Sequence, residues 1–171
     1  HTRLLLRMDP RRFTTISEQA HKKWLSAALD VPMNEDLGID LLDGITGVEL
    51  KGCYARWGEH YVVDDRQVVR FPEQYTGLDL YFAFLLYDLR IKPRSIRSNV
   101  ERNVVERDVR IVPWGWMAQF PVKYTRRSGP LRYVHYSDFP NGEYFERFET
   151  KDATLWAPKD SSMAARLSLL L

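Results

Sequence analysis

The sequence predicts an α/β protein built on a mixed β-sheet flanked by helices. Three observations carry this: an amphipathic segment over 16–29, a strand–turn–strand pattern over 37–54, and an almost unbroken apolar run over 78–88. The last is the signature of a strand buried on both faces, as the middle of a mixed sheet requires.

In the first segment, ISEQAHKKWLSAAL, Ala20, Trp24, Ala27 and Ala28 recur at helical spacing and mark the expected buried stripe. Thr15 and Glu18 stand in the S/T-x-x-E spacing of a capping box, which sets the expected start; Asp30 and Pro32 end the helix. Residues 37–42 and 46–54 read as the two arms of a hairpin turning at Asp43-Gly44. Residues 60–71 read as a second hairpin or an irregular strand pair, turning at Asp64-Asp65, with Pro72 and a short polar turn or helical piece after it. Beyond the apolar strand, residues 94–108 suit a helix carrying Ile96, Val100 and Val104 on one side, followed by a strand at 109–114. The aromatic, basic stretch 114–150 contains a hairpin near Ser128-Gly129-Pro130, and SSMAARLSLLL closes as a short amphipathic helix. Without a compositional boundary, the expectation is one domain over 1–171, with a core at about 13–115 and an extension at 116–171.

Composition excludes several classes. With 44% hydrophobic and 28% charged residues, the chain has the make-up of a soluble globular protein. A net charge of +2 permits nucleic-acid binding without arguing for it. Cys53 is the single cysteine, so neither an intrachain disulfide nor a Cys-rich zinc site can form, and His1, His21, His60 and His135 are scattered. The apolar run is far short of the roughly 20 residues a membrane span needs, and it contains Asp79. HTRLLLRMDPRR lacks the long apolar segment and small-residue cleavage site of a secretory signal. A cytoplasmic protein without a membrane partner is expected.

The chemistry lies in GIDLLDGITGVELK. Alternation along a strand puts Glu49 and Lys51 on one face and Val48, Leu50 and Gly52 toward the core. A hairpin loop of two or four residues puts Asp40 on the face of Glu49. With a four-residue loop at 43–46 the two are directly opposite, their Cβ atoms roughly 5 Å apart. Carboxylates that close repel each other unless a cation intervenes, and Mg2+, with Mn2+ as a substitute, suits an oxygen-only site. Lys51 beside such a cation is placed to polarise an attacking water or to neutralise a transition state. The set suits in-line hydrolysis of a phosphodiester.

Gly38-Ile39-Asp40, with Glu49-Leu50-Lys51 beginning nine positions after the aspartate, resembles the PD-(D/E)XK nuclease superfamily. That superfamily includes many type II restriction enzymes and the archaeal Holliday-junction resolvases; the small blunt-cutting restriction enzymes are especially similar. The resemblance spans roughly residues 16–54, and the proline of the family's name is missing before Asp40. It implies a restriction-endonuclease-like core and a Mg2+-dependent endonuclease acting on DNA, of restriction or homing type. Asp40, Glu49 and Lys51 are then catalytic, with Asp40 and Glu49 holding the metal. A glutamate of the preceding helix often joins such sites, and Glu18 stands there as a further catalytic and metal-binding candidate. The alternatives are a structure-specific, junction-resolving nuclease, an inactive nucleic-acid-binding module of the same fold, and an interaction protein.

Plainer readings exist for each residue. Asp40, Glu49 and Lys51 could be a solvated hairpin face, although Leu37, Ile39, Leu41, Val48 and Leu50 place the pair near a core. Glu18 could be only a helix cap, and Asp43 reads as a turn residue. Lys123, Arg126, Arg127 and Arg132, interleaved with Tyr124, Tyr133, His135 and Tyr136 and without acids, suit phosphate and stacking contacts to DNA. His60 could reach a scissile phosphate and Gln74 could assist through water, though packing or surface roles compete for both. Arg94, Arg97, Arg102, Arg107 and Arg110, mixed with Glu101, Glu106 and Asp108, read as a salt-bridged solvated face. Symmetric cutting of two strands calls for two sites, so a homodimer is expected, with residues 139–156 and Leu167–Leu171 as candidate interfaces.

Overall fold

A computed structural model describes residues 10–58, 60–96, 99–140 and 142–171; the basic opening stretch before Pro10 lies outside it. The first helix, α1 (Pro10–Leu29), begins well before the expected start. Thr15 is therefore an interior residue, its hydroxyl donating to the Arg11 carbonyl at 3.1 Å, and no capping box links it to Glu18. Phe13, Leu25 and Leu29 bury fully, Ala20, Trp24 and Ala28 partly, and Ala27 faces solvent. Asp30, at φ 52°, takes the left-handed conformation that ends the helix.

The expected hairpin forms from β1 (Leu41–Leu42) and β2 (Thr46–Tyr54). Its first arm is shorter than the predicted 37–42. Gly38, at φ 146°, lies so close to the Tyr75 hydroxyl that a Cβ there would collide with it. Leu41 faces Val48 and Leu42 faces Gly47, leaving the four-residue connection 43–46. Asp43 makes the turn, its Oδ1 accepting from the amides of Ile45 (2.8 Å) and Thr46 (2.6 Å).

Two expectations fail. Residues 60–71 are not a hairpin: β3 (His60–Asp64) runs into α2 (Asp65–Gln74), and Asp64 caps that helix by accepting from the Arg66 amide at 2.9 Å. Val68, Phe71 and Tyr75, at helical spacing, pack into the core. Residues 94–108 are not a helix either; Arg97 and Ser98 lie outside the described residues. Short 3-10 turns at Pro93–Ser95 and Glu101–Asn103 lead into β5 (Val104–Pro113). Arg107, Val109 and Ile111 bury alternately, the period of a strand, and Ile96 and Val100 reach the core from the connecting segment. Arg107 is thus no solvated residue: it is 2% exposed, pairs with Glu101, and stacks 4.6 Å from the Trp24 ring.

The apolar run becomes β4 (Asp79–Leu89), parallel to β2 and antiparallel to β5. The hairpin of β6 (Lys123–Thr125) and β7 (Gly129–His135) forms as expected and joins β3 in a three-stranded sheet, β3-β7-β6. The last strands are β8 (Phe145–Glu149) and β9 (Ala153–Pro158), which extend the main sheet to the mixed six-stranded order β1-β2-β4-β5-β9-β8. The closing helix, α3 (Ser162–Leu170), is capped by the Ser161 hydroxyl, which accepts from the Ala164 amide at 3.0 Å.

The molecule is α/β, its mixed sheet covered on both faces. Against one face, α1 and α3 pack an aliphatic core of Val48, Leu50, Ala83, Leu85, Val109 and Leu155. Against the other lie α2 and the small sheet, over an aromatic core that includes Phe82, Phe84, Trp114, Tyr61 and Phe71. Burying side chains of this size stabilises by about 1.5–3 kcal/mol each. Among the described residues no helix is long and apolar enough to cross a membrane.

Candidate active site

Because β1 stops after two residues, the outer edge of β2 beyond Val48 has no paired strand among the described residues. Asp40 serves that edge. Its Oδ2 accepts from the Leu50 amide at 2.9 Å, and its own amide donates to Glu49 Oε2 at 3.2 Å. Lys22, on α1, reaches Asp40 Oδ1 at 2.7 Å. On the other side, Lys51 Nζ donates to Glu49 Oε1 at 3.0 Å and to Gln67 Oε1, on α2, at 2.8 Å. The result is a line of alternating charges, Lys22–Asp40–Glu49–Lys51, set in a cleft of about 540 Å³.

The structure therefore brings together Asp40, Glu49 and Lys51, with Asp40 one residue before the last paired position, Leu41 opposite Val48. One detail differs. Asp40 does not stand on the strand face of Glu49 and Lys51 but bends around the strand edge to meet them. Val48 and Leu50 face the aliphatic core as expected, whereas Gly52 is exposed. Glu18 lines the same cleft from α1, together with Lys22 one turn further on.

Glu49 is 4% exposed. Burial pushes its pKa up to about 7; Asp40 adds to the rise, while Lys51 and the Asp40 amide oppose it. Glu18 is also shifted upward, first by burial and then by Asp40, against the pull of Lys22 and Lys51. For Lys22, burial disfavours the ammonium, but Asp40, Glu49 and Glu18 together hold its pKa above the ordinary value. Two carboxylates and two ammonium groups thus share one poorly solvated place, each sign stabilising the other.

Sequence reasoning missed Lys22, Gln67 and His21. Lys22 lies four residues after Glu18, a spacing that puts both on one helix face. Gln67 was hidden by the misread second hairpin. His21 is 1% exposed; burial, and secondarily the charge of Arg107, lower its pKa to about 3. Its Nδ1 accepts from Arg107 Nε at 3.2 Å, so the ring is neutral with the proton on Nε2, which has no partner among the described residues.

The remaining candidates divide. His60 lines the cleft, its ring edge-on to His135 at 4.9 Å. Pairing of His60 with His135 and of Val62 with Tyr133 puts these four on one face of the small sheet, so that face continues the cleft toward the β6–β7 turn. Lys123 lies 5.5 Å from the Tyr133 ring centroid, and Arg126 and Arg127 are exposed at the turn. Arg132 points inward instead, bonding Asp65 (2.7 Å) and the carbonyls of Met117 (3.0 Å) and Phe120 (2.6 Å). Gln74 does not line the cleft; its amide donates to the Tyr75 hydroxyl at 3.2 Å.

Among the described residues no group of three or more His, Cys, Asp or Glu gathers as a metal cage. Asp40 and Glu49 offer two carboxylates. That fits Mg2+, which keeps several waters and is commonly held by one or two carboxylates together with substrate phosphates. Comparison with protein-family models, with curated proteins and with solved structures found no match to this chain.

The raised pKa of Glu49 makes a stability prediction with a definite sign. The folded state binds more protons than the unfolded state between the ordinary value of 4.5 and about 7. The neutral acid's contribution is therefore complete at low pH and is lost as pH rises through about 7. Urea unfolding from pH 4 to 8 should show this loss in the wild type and a flatter profile in Glu49→Gln. Identical profiles would mean that Glu49 is ionised at ordinary pH.

Proposed function

We propose that this protein is a Mg2+-dependent endonuclease of the PD-(D/E)XK type with a restriction-endonuclease-like core, hydrolysing DNA phosphodiester bonds. What carries the reading is the convergence of Asp40, Glu49 and Lys51 at an uncovered strand edge inside a charged cleft. Mg2+ bound here, or Mn2+ in its place, would supply Lewis-acid polarisation of the phosphate and a more acidic water. Asp40 and Glu49 would hold it, with Glu18 on the facing helix adding a carboxylate to its outer surroundings. Lys51, fixed between Glu49 and Gln67, holds its ammonium where an attacking water or a developing phosphorane charge can meet it. Lys22, paired with Asp40 at 2.7 Å, keeps that carboxylate compensated and presents a second cation to the cleft.

DNA reaches this site along the outer face of the small sheet, where His60, Tyr133 and Lys123 lead from the cleft toward Arg126 and Arg127. The proposed substrate is double-stranded DNA in the cytoplasm, in restriction- or homing-type cleavage; a junction-resolving nuclease uses the same residues. Asp40→Asn and Glu49→Gln should each abolish Mg2+-dependent plasmid cleavage while preserving or tightening DNA binding, because a carboxylate facing phosphate repels it. Lys51→Ala should remove most cleavage. Wild-type cleavage by a folded Glu49→Gln protein would contradict the assignment, and DNA binding without any cleavage by the wild type would leave a binding module.

Cutting both strands with one site per chain calls for a two-fold dimer. Leu169, 90% exposed, and Leu171, 59% exposed, continue α3 outward and offer apolar surface for it. Light scattering at micromolar concentration with DNA should give twice the chain mass; a monomer under those conditions contradicts the dimer.

A further inference from the structure

A second cavity, of about 520 Å³, lies on the same sheet face as Lys51. The sheet register connects the two places. Lys51 of β2 pairs with Phe84 of β4, Phe84 with Arg110 of β5, Arg110 with Trp156 of β9, and Trp156 with Arg147 of β8. Paired positions share a face, so Arg110 stands two strand spacings from Lys51, about 10 Å away. The cavities also share a wall: Cys53, lining the cleft, lies 3.0 Å from the hydroxyl oxygen of Tyr136, which lines the second cavity.

Inside it, one carboxylate fixes two side chains. Asp108 Oδ1 accepts from Arg110 Nε at 3.0 Å, and Oδ2 accepts from the Trp156 indole N–H at 3.0 Å. The guanidinium is held 4.2 Å from the Trp156 ring centroid. Among the described residues, the two terminal nitrogens of Arg110 have no hydrogen-bond partner. The Arg147 guanidinium lies over the same Trp156 ring at 5.3 Å, and the partly exposed Phe139, with the edge of the 3% exposed Tyr61, completes the wall. This is a preorganised fork of donors beside aromatic surface, built at the cost of ordering three side chains.

We infer that this cavity receives an unpaired guanine. A guanidinium whose Nε is already engaged presents its remaining N–H groups to two adjacent acceptors, and guanine offers such a pair in O6 and N7. Adenine puts an amino donor beside N7, and cytosine presents an amino group at that edge; both oppose a donor fork. The partly exposed ring of Phe139 gives the cavity a wall that a planar base can meet. Asp108 lowers the net positive charge beside Arg110, which disfavours a bare phosphate. The inference rests on the reading that the adjoining cleft binds DNA, and it adds that one nucleotide near the scissile phosphate is taken out of the stack and read.

The test needs no cleavage. In EDTA, the indole N–H resonance of Trp156 in the 15N-labelled full chain, assigned through Trp156→Phe, is followed during titration with GMP, CMP and ribose 5-phosphate. GMP should shift it saturably, with CMP and ribose 5-phosphate at least tenfold weaker, and Arg110→Gln should weaken GMP at least tenfold. Gly142→Phe is a second variant. Gly142 lines the cavity and a Cβ there meets nothing within 4 Å, so a large residue can be placed at the cavity's rim without a clash. It too should abolish the shift. No response to GMP, an equal response to CMP, or an equal response to ribose 5-phosphate overturns the inference. Cleavage of DNA with a silent Trp156 would sink this inference alone, while a GMP response in a chain that cannot cleave would sink only the nuclease reading.

Discussion

A β-strand edge deep in a protein leaves amide groups that must find partners, and in this chain the short reach of β1 creates such an edge on β2. The Leu50 amide would otherwise lose its partner, and the Asp40 carboxylate accepts from it in place of a carbonyl. That hydrogen bond, together with the one from the Asp40 amide to Glu49 Oε2, sets the position of Asp40 relative to Glu49. Everything charged in the cleft follows: Glu49 is too buried to ionise alone, so Lys51 compensates it, and Lys22 compensates Asp40 from the helix. Removing any one member leaves a poorly solvated charge without its counterion. The site is thus a consequence of strand length.

The two faces of the sheet divide the work. The helix side mixes aliphatic residues with Phe13, Tyr54, Tyr81 and Tyr87, and it contains Glu101, Arg107 and His21 in a bonded row whose last member lines the cleft. The row holds the His21 imidazole in one tautomer and fixes the part of α1 that presents Glu18 and Lys22. The opposite side is aromatic; Phe82, Phe84 and Trp114 carry α2, which delivers Gln67 to Lys51. The charged cleft sits at the seam between the two layers.

Local signals were legible in the sequence where they were unopposed. The Asp43-Gly44 turn and the strand alternation around it define the register, and through it the pairing of Asp40 with Glu49; the apolar density of β4 marks the central strand. Where two periods competed, the reading failed. In 60–74, Val62 and Val63 run into Val68 and Phe71, and the helix period begins only after Asp64. In 94–108, the row of mixed charges imitates a helix face, but Arg107 is buried because Glu101 and Trp24 receive it, a tertiary fact with no local mark. Gln67 and Lys22 were out of reach for the same reason: their roles come from what lies opposite. Arg132 shows the converse, a basic residue in a basic hairpin whose partners, Asp65 and two carbonyls, come from elsewhere in the chain.

The central claim is that Asp40 and Glu49 together hold a divalent cation, and direct measurement of Mn2+ binding tests it without any substrate. Electron paramagnetic resonance of free Mn2+ titrated with protein at pH 8 reports affinity and stoichiometry at once. One ion per chain is expected, with at least a tenfold loss of affinity in Asp40→Asn and in Glu49→Gln. A wild type that binds no Mn2+, or variants that bind it as tightly as the wild type, would contradict the claim.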